Sequence, residues 1–350
     1  MGRGPGASER AAEMHVTVIG AGVAGLACAL ELAERGAQVE VLDRAERRGT
    51  TCCSWFAGGM LAPWCELESS EPLIATLGTE SIPWWQERFS ATVARGTLVV
   101  AHGRDAGELT RFSRRTERYE WLDGDGIARL EPDLTGRFGR ALYFKDEAHL
   151  DPRAALQGLE QRLQGLGVSV QHGVGGDERA ARKGCSVDCR GLAAREVLTD
   201  LRGVKGEMLL LKLPELMLSR PVRILHPRMP LYIVPRGAGL FMVGATMLES
   251  DQPTRVSARS MLELLSAAYA LHPAFGEAEI IEMGTGVRPA LPDNLPCIRR
   301  RGDSLYVNGL YRHGFLLAPA LARRVAEVVL HGRFYPEVMG DENSRERRLA

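Results

Sequence analysis

Between Val16 and Asp43 the chain reads strand, glycine-rich turn, helix, strand, and no other stretch constrains the fold as much. Val16-Thr-Val-Ile19 is a short apolar run of strand type. Gly20-Ala-Gly-Val-Ala-Gly25 follows, and then Leu26, Ala29, Leu30 and Ala33 recur at helical spacing up to Arg35, with Gly36 as the stop. Val39-Glu-Val-Leu-Asp43 is a second strand. Two strands joined through a helix of this length run parallel, so the unit predicts a parallel sheet with helices on its faces.

Gly20, Gly22 and Gly25 carry the GxGxxG spacing, whose three glycines serve a tight turn, a close approach to pyrophosphate and helix–sheet packing. Val23 and Ala24 then open the helix, whose free N–H groups and positive dipole end favour a phosphate. Asp43, at the end of the second strand, can accept hydrogen bonds from an adenosine ribose. The fingerprint alone leaves NAD and FAD both open. A turn that only packs a helix would use the same glycines. The following loop holds Arg48-Gly49-Thr50-Thr51, Ser54 and Ala57-Gly58-Gly59, small and hydroxylic residues suited to wrapping a diphosphate.

Composition narrows the rest. Lys plus Arg and Asp plus Glu both number 44, so no net charge points to nucleic acid or an anionic membrane. Seven cysteines, an odd number without a CxxC pair, argue against a disulfide framework and for a reducing cytoplasm. No HxH or HExxH pair occurs, so no metal site is expected. Residues 1–13 lack the apolar core of a secretory signal and read as a disordered leader, with Met14 as a candidate start.

Further along, a helix is predicted over Ile82–Arg95 and a strand over Thr97–Ala101. Asp151-Pro152 reads as N-cap and first helical residue, ahead of a helix with Leu156, Leu159, Leu163 and Leu166 and a strand at Val168–Gln171. Tyr232–Pro235 and Leu240–Val243 flank a turn as a hairpin. A helix over Ala258–Leu271, a loop-and-strand region from Gly284 to Asn308 and a last helix after Gly314 complete the reading. The resulting fold class is α/β. A Rossmann-like dinucleotide domain (14–81, 148–212 and 281–332) is interleaved with an α+β substrate domain on a mainly antiparallel sheet (82–147 and 213–280). Residues 333–350 form a polar, frayed tail.

Residues 14–330 resemble the D-amino-acid-oxidase-like flavoproteins. The resemblance rests on Val18–Gly25, Ser54-Trp-Phe-Ala-Gly-Gly-Met-Leu-Ala-Pro63, Tyr232–Arg236 with Val243–Met247, Gly286-Val-Arg-Pro289 and Asn308–Pro319. Within the family, the likeness is to members that oxidise glycine for thiamine synthesis. It implies non-covalent FAD, oxidation of glycine or a similar small amine by O2, and an imine plus H2O2 as products. The imine feeds the thiazole ring or hydrolyses to glyoxylate and ammonia. A homo-oligomer is also typical of such proteins, although no sequence feature marks an interface.

The resemblance also implies roles for single residues. Arg288 matches the carboxylate-binding arginine, whose planar fork suits two parallel hydrogen bonds. Tyr232 matches a tyrosine on the same carboxylate, Met247 lines the small pocket, and Arg312 lies beside substrate and flavin. Arg44, Met60, His313, Gly314, Phe315 and Leu316 join the cofactor contacts, and Val174 falls where the family meets adenine. No catalytic base stands out, and the protein's task is to position the substrate. Vicinal Cys52 and Cys53 read as packing residues, with covalent flavin attachment as the other reading. Rival functions are an oxidase of sarcosine, a D-amino acid or another amine, an NAD-dependent dehydrogenase, and a flavoprotein acting on a protein partner.

Overall fold

The computed structural model describes residues 14–47, 49, 52–175, 185–225 and 231–340. The leader, and the candidate contacts Thr50 and Thr51, lie outside the described residues. The first strand, His15–Ile19, and the strand Gln38–Asp43 pair in parallel, Val18 opposite Val41, across the helix Val23–Glu34. They form the middle of a six-stranded sheet, with Ser169–His172 outside Gln38–Asp43 and Cys185–Asp188 on the other side of the first strand. Ser304–Asn308 continues the parallel order, and Cys297–Arg301 closes the edge antiparallel to it.

The helix Val23–Glu34 shows why this layer holds together. Leu26, Ala27, Cys28, Ala29 and Leu30 are all fully buried, so the helix is apolar nearly all round. Such a helix must be enclosed. Here it packs with the helices Pro152–Gly165 and Gly314–His331, and Pro72–Arg88 packs against the last of these. The one carboxylate carried inside, Glu31, accepts from Trp84 Nε1 at 2.5 Å and pairs with Arg35 at 2.8 Å.

The second sheet has nine strands and is antiparallel except where Val222–Leu225 runs beside Thr97–Ala101. Its longest pair is Arg202–Lys212 against Glu279–Ala290, which sets Val204 opposite Arg288 and Gly206 opposite Gly286. The hairpin Leu231–Gly237 and Leu240–Gly244 adjoins it, and the helix Ala258–Leu271 covers one face with Leu264, Ala268 and Leu271 buried.

Two expectations need correction. The helix expected over Ile82–Arg95 runs instead over Pro72–Arg88. Pro72 is its first residue, and Pro83 lies inside it, tolerated because Ile74, Leu77, Trp84 and Trp85 are buried on either side. The region from Gly284 to Asn308 does alternate strand and loop: it holds the end of the strand Glu279–Ala290, then Cys297–Arg301 and Ser304–Asn308. Finally, residues 333–340 are not frayed: Pro336–Met339 is helical, Val338 is fully buried, and Glu337 pairs with Arg324. Among the described residues no helix is long and apolar enough to cross a membrane.

Candidate active site

A cavity of about 1300 Å³ opens at the carboxyl ends of the parallel strands, where Ile19, Leu42 and Asp43 line it. This is the general ligand position of open parallel sheets. Its floor is the glycine turn. Gly20 has φ +104°, and a Cβ there would stand 2.8 Å from the Cys189 carbonyl oxygen. A Cβ on Gly25 would lie 1.8 Å from the Gly20 oxygen. Gly22 differs: its nearest neighbour would be Ser54 Oγ at 3.5 Å, so the space above it belongs to the cavity. Ser54 Oγ accepts from the Val23 amide at 3.3 Å. The Asp43 carboxylate accepts from the Ala21 amide at 2.6 Å and the Ala45 amide at 2.7 Å, which ties the strand end to the turn. A carboxylate has further lone pairs, so Asp43 can still take a ribose hydroxyl.

Of the expected cofactor contacts, Gly20, Gly22, Val23, Ala24, Asp43, Arg44 and Ser54 line this cavity. Gly25 and Val174 do not. Gly25 packs behind the turn, and the Val174 amide donates to the Asp43 carbonyl at 2.9 Å, placing Gly175 at the wall instead. The cavity exceeds the roughly 300–1,000 Å³ of ordinary small-ligand sites, and its bare Gly22 suits a pyrophosphate. These residues therefore fit FAD. Cys52 and Cys53 also line it. Burial, with Cys53 adjacent, pushes the Cys52 thiol up to about 12. Burial raises Cys53 as well, against the opposing field of Arg288. Protonated thiols are poor nucleophiles.

A second cavity, of about 80 Å³, shares the wall residue Gly314 with the first. It gathers Gly58, Gly59, Met60, Tyr232, Met247, Arg288, Arg312, His313, Phe315 and Leu316. Residues distant in sequence and expected at one site thus share one wall. Arg288 is partly buried, and its one hydrogen bond among the described residues is Nη1 to the Thr246 carbonyl at 3.1 Å. It has no acidic partner there. Its guanidinium lies across Gly206 of the neighbouring strand, where a Cβ would be 2.1 Å from Nη2. Tyr232 lies against Gly58 in the same way, with Cε2 2.7 Å from where a Cβ would be. Burial raises the Tyr232 hydroxyl, opposed by Arg288, so it stays protonated. Met247 is about half exposed, and its Sδ lies 3.5 Å from the Tyr311 hydroxyl.

Two residues absent from the sequence reading, Glu66 and Arg223, complete this wall, and Arg236 braces the backbone behind it. Glu66 Oε2 is 2.6 Å from Arg312 Nη2 and 2.8 Å from His313 Nε2, and Glu66 Oε1 is 3.4 Å from Arg223 Nη1. Burial alone would raise the Glu66 carboxyl, but Arg312, His313 and Arg223 together hold it well below the usual range. Burial lowers His313 despite Glu66, so the imidazole is neutral and donates to the carboxylate. Arg236 donates to the carbonyls of Leu150, Ala57 and Gly58 at 2.6, 2.9 and 3.0 Å, fixing the backbone beside Tyr232. Arg236 stood within the quoted Tyr232–Arg236 motif; Glu66 and Arg223 carried no motif signal. The last helix begins at Gly314, and Gly314, Phe315 and Leu316 present its first turn to the small cavity. That end favours negative charge.

Comparison with known proteins agrees with this layout. The family profile described as FAD dependent oxidoreductase (DAO) matches residues 15–328. A Rhizobium etli protein, whose name assigns it provisionally to thiamine biosynthesis as the oxidoreductase ThiO, is 55% identical over 93% of this chain and 99% of its own. A glycine oxidase of Bacillus licheniformis is 25% identical over 89% of this chain and 92% of its own. The solved glycine oxidase of Geobacillus kaustophilus superposes with a TM-score of 0.77 at 23% identity, covering 92% of this chain and 96% of that one, a likeness of fold.

Proposed function

The chain belongs to the FAD dependent oxidoreductase family, and from that premise we propose that it oxidises glycine with O2 to the imine and H2O2, in the branch of thiamine synthesis that builds the thiazole. Water converts free imine to glyoxylate and ammonia. The observation that carries this reading is Arg288: a guanidinium without an acidic partner among the described residues, in a cavity of about 80 Å³ that shares the wall residue Gly314 with the dinucleotide cavity. A site of that size suits a substrate of few heavy atoms. A buried charge-assisted bond is worth roughly 1.5–3 kcal/mol, which suffices to orient so small a molecule.

In this reading Gly20, Gly22, Val23, Ala24, Asp43, Arg44 and Ser54 hold the dinucleotide, and Gly58, Gly59, Met60 and the first turn of the last helix face its ring. Bound FAD supplies the two-electron acceptor. Arg288 clamps the substrate carboxylate with two parallel bonds. The Tyr232 hydroxyl donates to the same carboxylate. Arg236 keeps the Ala57–Gly58 backbone, and with it Tyr232, in place. Thr50 and Thr51 remain assigned from the hydroxylic loop sequence that suits a diphosphate, and Val174 acts through its amide on the Asp43 strand. No side chain is needed as base once the substrate amine is neutral, so turnover should rise with pH through that amine's pKa. A flat profile over roughly pH 6 to 10 would count against the scheme.

The test is a spectrum of the purified protein. A flavin band is expected, and anaerobic glycine should bleach it. Peroxide formed from glycine should exceed that from sarcosine or D-alanine. Acid precipitation should release the yellow colour, since both cysteines at the cavity are held as thiols. A colourless protein, or a flavin that glycine leaves oxidised, would sink the proposal.

A further inference from the structure

Three guanidiniums line the small cavity, from Arg223, Arg288 and Arg312, against one carboxylate, Glu66. Their pairing is unequal. Glu66 holds Arg312 at 2.6 Å through one oxygen and Arg223 at 3.4 Å through the other, Arg223 also lies 3.9 Å from Glu68, and Arg288 has no acid partner among the described residues. Glu66 is itself held firmly. It ends the short helix Pro63–Glu66, whose Trp64 and Cys65 amides donate to the buried Glu147 at 3.0 and 2.8 Å. The neutral His313 adds a third bond to Glu66 at 2.8 Å.

Resting on the reading above, we propose that Glu66 is a specificity-determining residue which limits this site to substrates with a single carboxylate. It occupies Arg312 and Arg223 and leaves Arg288 as the guanidinium able to bind an acid. A second substrate carboxylate would have to displace Glu66 from Arg312 and would meet its negative charge at close range. Like-charge opposition of this kind selects against the wrong ligand. Neutralising Glu66 without changing its shape removes the repulsion and releases a second guanidinium.

The experiment uses the FAD-loaded protein and two unreactive acids, acetate and malonate, titrated at constant ionic strength and followed by the change in the flavin spectrum. The wild type should bind acetate at least as tightly as malonate. In Glu66→Gln the ratio of affinities should move towards malonate by about tenfold or more. Adding Arg312→Met to that variant should return the ratio to the wild-type value. A ratio unchanged in Glu66→Gln overturns the proposal and leaves the glycine reading intact. A wild-type flavin that responds to neither acid overturns both. Should Glu66→Gln lose its FAD, Arg312→Met alone decides. Freed of Arg312, Glu66 should then weaken malonate at least threefold more than acetate, and equal weakening overturns the proposal.

Discussion

At the scale of the residue, the site depends on side chains that are missing as much as on those present. Gly206 makes room for Arg288, and Gly58 for Tyr232. Neither contact could be foreseen, because each glycine meets a residue far away in the chain. Gly206→Ala places a methyl 2.1 Å from Arg288 Nη2, so the guanidinium must leave its present position. The expected outcome is a glycine KM raised tenfold or more, from the loss of roughly 1.5–3 kcal/mol of charge-assisted bonding, with FAD content unchanged. Initial-rate kinetics beside the flavin absorbance check it, and an unaltered KM would show that the close approach is unimportant. The sequence did mark Arg288 and Tyr232, because their segments resemble a family. It left Glu66 and Arg223 unmarked, because an ion pair 157 residues apart has no local pattern.

At the scale of the element, local signals were reliable where the local physics was decisive. Asp151 accepts from the Arg153 and Ala154 amides as an N-cap should, and Ser257 caps the helix Ala258–Leu271 through the Ser260 amide. They failed where packing overrides propensity. The helix Pro72–Arg88 keeps Pro83 in its interior because it sits against the last helix and buries two tryptophans. The same packing explains Glu31, 3% exposed in the middle of an apolar helix that ends on the second carboxylate, Glu34. Trp84 and Arg35 share its oxygens, and Arg88 lies 3.6 Å away. Glu31→Ala should therefore lower unfolding stability by about 3 kcal/mol, since it orphans the buried indole N–H and leaves a cavity. Glu31→Gln, which keeps an acceptor, should cost about 1 kcal/mol. Urea denaturation of the two variants separates these outcomes. Equal losses would mean that the indole bond contributes nothing.

At the scale of the whole molecule, two buried groups between the sheets give stability a pH dependence. Burial pushes Glu147 up to about 7, so the folded state keeps its proton where an unfolded chain has released it. Stability from this group is present below the unfolded value near 4.5 and is lost as pH rises towards 7. Burial, helped by Arg236, pushes His149 down to about 4. Its contribution runs the other way, being lost as pH falls from 6.5 to 4. The two slopes offset one another over much of that range. Glu147→Gln removes one of them. Its melting temperature relative to wild type should climb between pH 5 and pH 8, by the equivalent of up to about 3 kcal/mol. A difference that stays constant with pH would place the Glu147 proton elsewhere.

The sequence by itself determined the parallel unit around Gly20–Gly25, since strand, turn and crossover helix are specified by residues within about thirty positions of one another. It determined the hairpin at Tyr232–Val243, and it placed Arg288 and the start of the last helix in recognisable segments. Only the tertiary structure decided that Cys185–Asp188 lies beside the first strand, and that Glu279–Ala290 is a full strand set against Arg202–Lys212. Only there does Gly314 come to line both cavities. The difference is one of range. Periodicity and capping act between near neighbours. Burial, ion pairing and the space left by a glycine depend on which distant residues the fold brings against them.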